Sequence, residues 1–170
     1  ISGNNHLVNL KGLENLSHLN SLSISRNVAL TSLSSLTKLT SIPGFLSIGD
    51  YNFFSNFGNA ALTSLDGLEN ITSVGGLRII GNEALVNLEG LDSIVSAGSA
   101  IIIEDNSSLI NLDALANITS VGSIWIGNNI ELKNLWGLQN IATPLIILYI
   151  WNCPLTDLSG LENIPSVGNF

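Results

Sequence analysis

Three aromatic residues, Trp125, Tyr149 and Trp151, occupy positions from which they could bind a ligand. Aromatic rings combine an apolar face with a polar edge, which suits them to contact sugar rings or to form hot spots in protein interfaces. Each of the three alternates with isoleucine, in the segments IWIGNN and LYIWNC. This alternation is typical of a half-buried strand, so we expect the aromatic side chains to face solvent.

Residues that could support catalysis or bind a metal ion form no recognisable motif. The sequence contains no G-x-S-x-G, Walker loop or H-E-x-x-H pattern. His6 and His18 lack cysteines or clustered carboxylates at metal-ligand spacing. Glu104 and Asp105 offer too few oxygen ligands for a calcium site. We therefore predict a non-enzymatic protein that uses no cofactor and no metal ion.

A repeat of 23 or 24 residues, with one longer copy of 31 residues, must position the aromatic residues. Its pattern is L-x-I-x-x-N-x-x-L-x-x-L-x-G-L-x-N-I-x-S-V-G-G. The opening alternation predicts a strand, and the Asn after it predicts a tight turn. Leucines spaced three apart favour extended or 3₁₀-like coil, and the I-x-S-V segment predicts a second short strand. The acidic residues after G-L are expected to form a solvated row: Glu14, Glu69, Asp92 and Glu162.

One copy of the repeat is too small to fold alone, because its inward aliphatic residues cannot offset the entropy lost by ordering the chain. Stability must come from stacking the copies, so that their strands pair in parallel and both flanks of each coil are buried. The sequence therefore predicts a mainly β, parallel solenoid.

The run LENITSVGGLRIIGNEALVNLEGL and its later copy LANITSVGSIWIGNNIELKNLWGL resemble the receptor L domain. This leucine-rich repeat unit occurs in insulin-type and epidermal-growth-factor-type receptors and in many microbial surface proteins. The resemblance implies a right-handed parallel β-solenoid, and the repeats divide it into about seven coils of 23–24 residues. We expect residues 1–170 to form one domain, as a segment of a longer protein. The resemblance also implies a secreted or cell-surface anchored, extracellular location. The single cysteine, Cys153, excludes an internal disulfide. The cap disulfides usual in animal receptors are therefore missing, which is more similar to a microbial surface protein.

Aligned copies place seven candidate ligand-binding residues on the outward face of the first strand. They fall in two columns: Arg78, Ile102, Trp125 and Tyr149 in one, and Ile80, Glu104 and Trp151 in the next. An exposed apolar patch of this kind usually marks an interaction site. The alternative is a seam covered by a neighbouring domain or by a second copy of the chain. Trp136 lies off this face, where we expect it to pack against the coil.

An inserted aromatic loop, DYNFFSNFGN at residues 50–59, accounts for the longer copy. It holds four aromatic residues that could contact a ligand or fold back over a sheet edge: Tyr51, Phe53, Phe54 and Phe57.

Composition narrows the class of partner. A net charge of −8 repels phosphate backbones, so nucleic acid is not expected. Apolar residues are spread over the repeat positions, and no run approaches the length of a transmembrane helix. We predict a binding or adhesion module that recognises a glycan or a protein at the cell surface. The alternatives are a structural spacer or self-assembling repeat unit without a ligand site and, more remotely, an ice-binding protein with rows of Thr and Ser.

Overall fold

The computed structural model describes residues 1–52, 55–56 and 58–170. This part of the chain is mainly β and confirms the parallel β-solenoid. The strands in chain order are β1 (Leu22–Ile24), β2 (Ser41–Ile48), β3 (Tyr51–Asn52), β4 (Ser55–Asn56), β5 (Ser73–Ile80), β6 (Ser96–Glu104), β7 (Ser120–Gly127), β8 (Leu145–Trp151) and β9 (Val167–Asn169). Seven of them form one sheet in the order β1-β2-β5-β6-β7-β8-β9, through six parallel pairings that make about six turns. Strands β3 and β4 form a separate antiparallel hairpin within the insertion.

The five central strands of the main sheet are longer than the sequence predicts. The S-V segment and the L-x-I segment were expected to form two short strands, but in β5 they form one continuous strand. The register against β6 shifts between Val74 and Leu77, across the Gly75-Gly76 pair. A Cβ atom on Gly75 would overlap the carbonyl oxygen of Pro43 on β2. The glycines therefore let the strand bulge while the neighbouring backbone stays close, and the ladder continues past the irregularity.

The leucines spaced three apart close each turn, as expected. The N–H of Leu91 donates to the carbonyl of Leu88 at 3.1 Å, and the N–H of Ile94 donates to the carbonyl of Leu91 at 3.0 Å. All three side chains are fully buried. In three coils the segment is a short 3₁₀ helix, at Ser34–Leu36, Asp113–Leu115 and Trp136–Leu138. Hydrogen bonds to the third preceding residue direct one aliphatic side chain per step into the core.

A ladder of buried asparagines runs along the strand ends. Its members are fully buried: Asn27, Asn59, Asn82, Asn106 and Asn129. The backbone N–H of Asn82 donates to Oδ1 of Asn106 at 3.0 Å, and its Nδ2 donates to the carbonyl of Ile48 at 2.9 Å. Each central side chain thereby links its own turn to both neighbours. Asn59 is the last residue of the predicted loop, yet it occupies a ladder position.

The acidic residues after G-L are more than a solvated row, because each caps a turn. Gly90 has φ of +102°, and its N–H donates to Oδ2 of Asp92 at 3.0 Å. The same bond from the glycine two residues earlier is made to Glu14, Glu69 and Glu162. The three coils with 3₁₀ helices carry no acid at this position: Thr37, Ala116 and Gln139. The carboxylate therefore accompanies the left-handed glycine turn, where it accepts an N–H that the turn leaves without a backbone partner.

Candidate functional site

The sheet register confirms the alignment that defined the two outward columns. Ile102 pairs with Arg78 on one side and with Trp125 on the other, and Trp125 pairs with Tyr149. In the second column the partners follow one another across the sheet: Ile80, Glu104, Gly127 and Trp151. Adjacent strands lie about 4.8 Å apart. The candidate residues from Arg78 to Trp151 therefore share one continuous surface on β5 to β8, which we call the outer face.

The three aromatic residues meet at the β7–β8 end of the outer face. Trp125, Tyr149 and Trp151 line a shallow concavity of about 320 Å³. Tyr149 is 52% exposed, and both tryptophans are partly exposed. Trp151 lies flat on the sheet, since a Cβ atom added to Gly127 would overlap its indole ring. Gly127 thus supplies the space in which the ring of Trp151 lies.

A second, more polar concavity adjoins the aromatic one. It has a volume of about 280 Å³, and the residues that line it are Asp50, Arg78, Ile80, Ile102 and Glu104. Ile80 was expected to add exposed surface to an apolar patch, but it is only 4% exposed. The outer face therefore carries a charged concavity beside an aromatic one, instead of one continuous apolar patch.

Phe45, on β2 beside the outer face, is a residue that the column alignment missed. Its ring lies on β2 beside Gly76, and the guanidinium carbon of Arg78 is 4.1 Å from the ring centroid. This is a cation–π contact. Phe45 could have been found from the alternation of side chains along a strand, because Phe45 lies two residues before the outward Ser47. The contact holds the positive charge of Arg78 at the β2–β5 side of the face, away from β7 and β8.

Glu104 is the partly buried carboxylate of the outer face. Burial raises the pKa of its carboxyl group above the ordinary value, and the neighbouring charge of Asp105 raises the pKa further. Asp105 itself accepts a hydrogen bond from Nδ2 of Asn128 at 2.8 Å. The face thus holds a carboxyl group for which burial and a like charge both favour the protonated form.

Trp136 and Cys153, which the sequence also singled out, lie outside the two columns of the outer face. Trp136 was expected to pack against the coil, but it is 58% exposed because its 3₁₀ helix turns the indole outward. The backbone of Tyr51 belongs to β3, while Phe53, Phe54 and Phe57 fall outside the described residues. Cys153 ends the asparagine ladder. Burial raises the pKa of its thiol, and hydrogen bonds from the backbone and side chain of Asn129 oppose that rise.

The Thr and Ser residues considered for ice binding lie at the edge of the main sheet. Thr72 and Thr119 are exposed just before β5 and β7, so they border the main sheet and not a second one. Exposed Val95 and Ala142 occupy the equivalent places in the coils between and after them. The row is therefore interrupted.

Within residues 1–52, 55–56 and 58–170, no group of three or more His, Cys, Asp or Glu side chains is arranged to hold a metal ion. The same part of the chain contains no helix that is long and apolar enough to span a membrane.

Comparison with known proteins returned no relative. No protein-family model, no curated protein and no solved structure matches this chain.

Proposed function

We propose that this protein is a non-enzymatic binding or adhesion module of a secreted or cell-surface protein, built from repeats of the receptor L domain type. It recognises a glycan or a protein through the outer face of its sheet. The observation that carries the proposal is the concavity lined by Trp125, Tyr149 and Trp151.

The distribution of the aromatic side chains supports a binding role for the outer face. The core is built almost entirely from Leu, Ile, Val and Ala, so the solenoid does not need tryptophan to fold. Two of the three tryptophans nevertheless lie on adjacent strands of one solvent-facing surface. Aromatic residues in such a position give a ligand a large contact area at a low entropic cost. The neighbouring charges of Arg78 and Glu104 add the polar contacts that orient a ligand.

The test compares three proteins on a combined glycan and surface-protein array. They are the parent, the triple variant Trp125→Ala/Tyr149→Ala/Trp151→Ala, and the control Trp136→Ala, which removes an exposed tryptophan away from the outer face. We expect the parent and the control to bind the same ligand class and the triple variant to lose it. Circular dichroism checks that all three are folded.

Two outcomes contradict the proposal. Binding that survives in the triple variant would place the ligand site elsewhere. Silence of all three proteins, together with a change of association state in the triple variant by light scattering, would favour a self-assembling repeat unit.

A further inference from the structure

The aromatic concavity offers ring faces and almost no hydrogen-bonding groups. Among the residues that the structure describes, its lining consists of the side chains of Trp125, Tyr149 and Trp151. A strongly hydrated group would lose its water there without finding polar partners. The preferred occupant is therefore a group with no hydrogen-bonding hydrogens of its own.

One acidic residue, Glu104, lies on the strand next to the aromatic concavity. Glu104 pairs in register with Gly127, over which the Trp151 ring lies. Strands β7 and β8 contain no Lys or Arg. The nearest cationic residue of the outer face, Arg78, lies on β5 and is already stacked on Phe45. The whole chain carries 13 acidic against 5 basic residues, which adds a long-range attraction for cations.

Aromatic rings attract cations through their negative faces, most strongly for Trp. A quaternary ammonium group combines a positive charge with an apolar methyl surface and needs no hydrogen-bond acceptor. A primary ammonium group is strongly hydrated and would need acceptors that the concavity lacks. Ring faces beside a carboxylate therefore select the quaternary form.

We propose that the concavity lined by Trp125, Tyr149 and Trp151 is a subsite for a quaternary ammonium group of the choline type, with Glu104 as its nearby counter-charge. This inference rests on the proposed binding role of the outer face and names the chemistry of its ligand.

The test uses choline as the probe, titrated into the parent protein and followed by tryptophan fluorescence and calorimetry. The matched comparison is 3,3-dimethylbutan-1-ol, which has the same shape as choline but no charge. We expect choline to bind about tenfold more tightly than the neutral analogue, because the cation–π attraction is lost in the latter. Ethanolamine should also bind more weakly than choline.

Variants separate the aromatic contribution from the electrostatic one. The triple aromatic variant should lose choline binding, whereas Trp136→Ala should retain it. Glu104→Gln should weaken binding about three- to tenfold while leaving the neutral analogue unaffected. Equal affinities for choline and its neutral analogue would overturn the inference, as would a Glu104→Gln variant that binds choline as the parent does.

Two further binding measurements identify the source of the choline group. Binding of phosphatidylcholine vesicles would assign a lipid headgroup. Binding of soluble phosphocholine without vesicle binding would assign a soluble or glycan-linked headgroup.

The choline experiment and the array experiment can refute the cation subsite and the proposed function independently of each other. A parent that ignores choline but binds an uncharged glycan or a protein on the array, with loss in the triple variant, refutes the cation subsite and leaves the proposed function standing. A parent that binds neither choline nor any array ligand refutes both.

Discussion

The indole ring of Trp151 on β8 lies over Gly127 on β7, in the space where any other residue would place its Cβ atom. The glycine thereby determines how the tryptophan is presented. An equivalent relationship occurs at the other end of the face, where the ring of Phe45 covers Gly76. In both cases a missing side chain on one strand leaves the space that an aromatic ring from the neighbouring strand occupies.

Replacing Gly127 should disturb the aromatic concavity more than the fold. In Gly127→Ala the new Cβ would collide with the indole, so we expect Trp151 to swing away and ligand binding to fall about tenfold or more. The loss of stability should be about 1–3 kcal/mol, as for an overpacked site. Fluorescence and near-ultraviolet circular dichroism will report the new environment of the ring. The control is Gly98→Ala, where a Cβ would come no closer than 3.3 Å to another atom. Unchanged spectra and affinity in Gly127→Ala would show that the ring position is not set by the glycine.

Replacing a central ladder residue should lower the stability much more than replacing an asparagine outside the ladder. Asn82→Ala leaves the N–H of Asn59 and the carbonyl of Ile48 without their side-chain partners in the interior. Each unsatisfied buried group costs about 1–3 kcal/mol, so the loss of two partners should lower the free energy of unfolding by about 2–6 kcal/mol. Urea denaturation measures the difference. Asn87→Ala is the matched control, since Asn87 makes only a local bond to the N–H of Glu89. Comparable losses in the two variants would refute a special role of the ladder.

Restoring the ladder at its last position should stabilise the protein. Cys153 follows Asn129 in the ladder, and a thiol is a weaker hydrogen-bond acceptor than an amide oxygen. Cys153→Asn would give the N–H groups of Asn129 an Oδ1 acceptor, as in the preceding coils. We expect a gain of about 1 kcal/mol in the free energy of unfolding. Cys153→Ser serves as the control, because its shorter side chain cannot reproduce the amide bonds. A decrease in the stability of Cys153→Asn would mean that the final coil needs the thiol.

Removing the charge of Glu104 should stabilise the protein only at neutral pH. Burial raises the pKa of this carboxyl above 4.5, so the folded protein holds the proton more tightly than the unfolded chain. The resulting stabilisation is complete below pH 4.5 and is lost as the pH rises through the folded-state pKa. The glutamine in Glu104→Gln carries no charge at pH 7 or below pH 4.5. The variant should therefore unfold at a higher urea concentration than the parent at pH 7. The advantage should disappear below pH 4.5.

The control for Glu104→Gln is Glu89→Gln, which removes an exposed carboxylate. The charged groups that face Glu104 are Asp105, Asp50 and Arg78, and all three remain in both variants. A Glu104→Gln variant that is less stable than the parent at pH 7 would mean that its carboxylate makes a net favourable contact in the folded state.

Repeat spacing was sufficient to predict the columns of the outer face. Trp125, Tyr149 and Arg78 were aligned from the sequence alone, and the strand pairing agrees. The alignment worked because every coil must bury the same aliphatic positions, which leaves little freedom in the register. Phe45 escaped it because it pairs with Gly76, a position expected to lie in the connection between two short strands.

The sequence by itself determined that the chain repeats, that it forms a parallel solenoid and which residues lie in each outward column. Those features follow from periodicity, since inward and outward positions alternate along a strand. Only the tertiary structure decided how buried each outward residue is and which neighbours it touches. In the structure Ile80 is buried, Trp136 is exposed, and the ring of Trp151 lies over Gly127. These outcomes depend on contacts between adjacent coils and on the space that each neighbour leaves, which the pattern of a single coil does not contain.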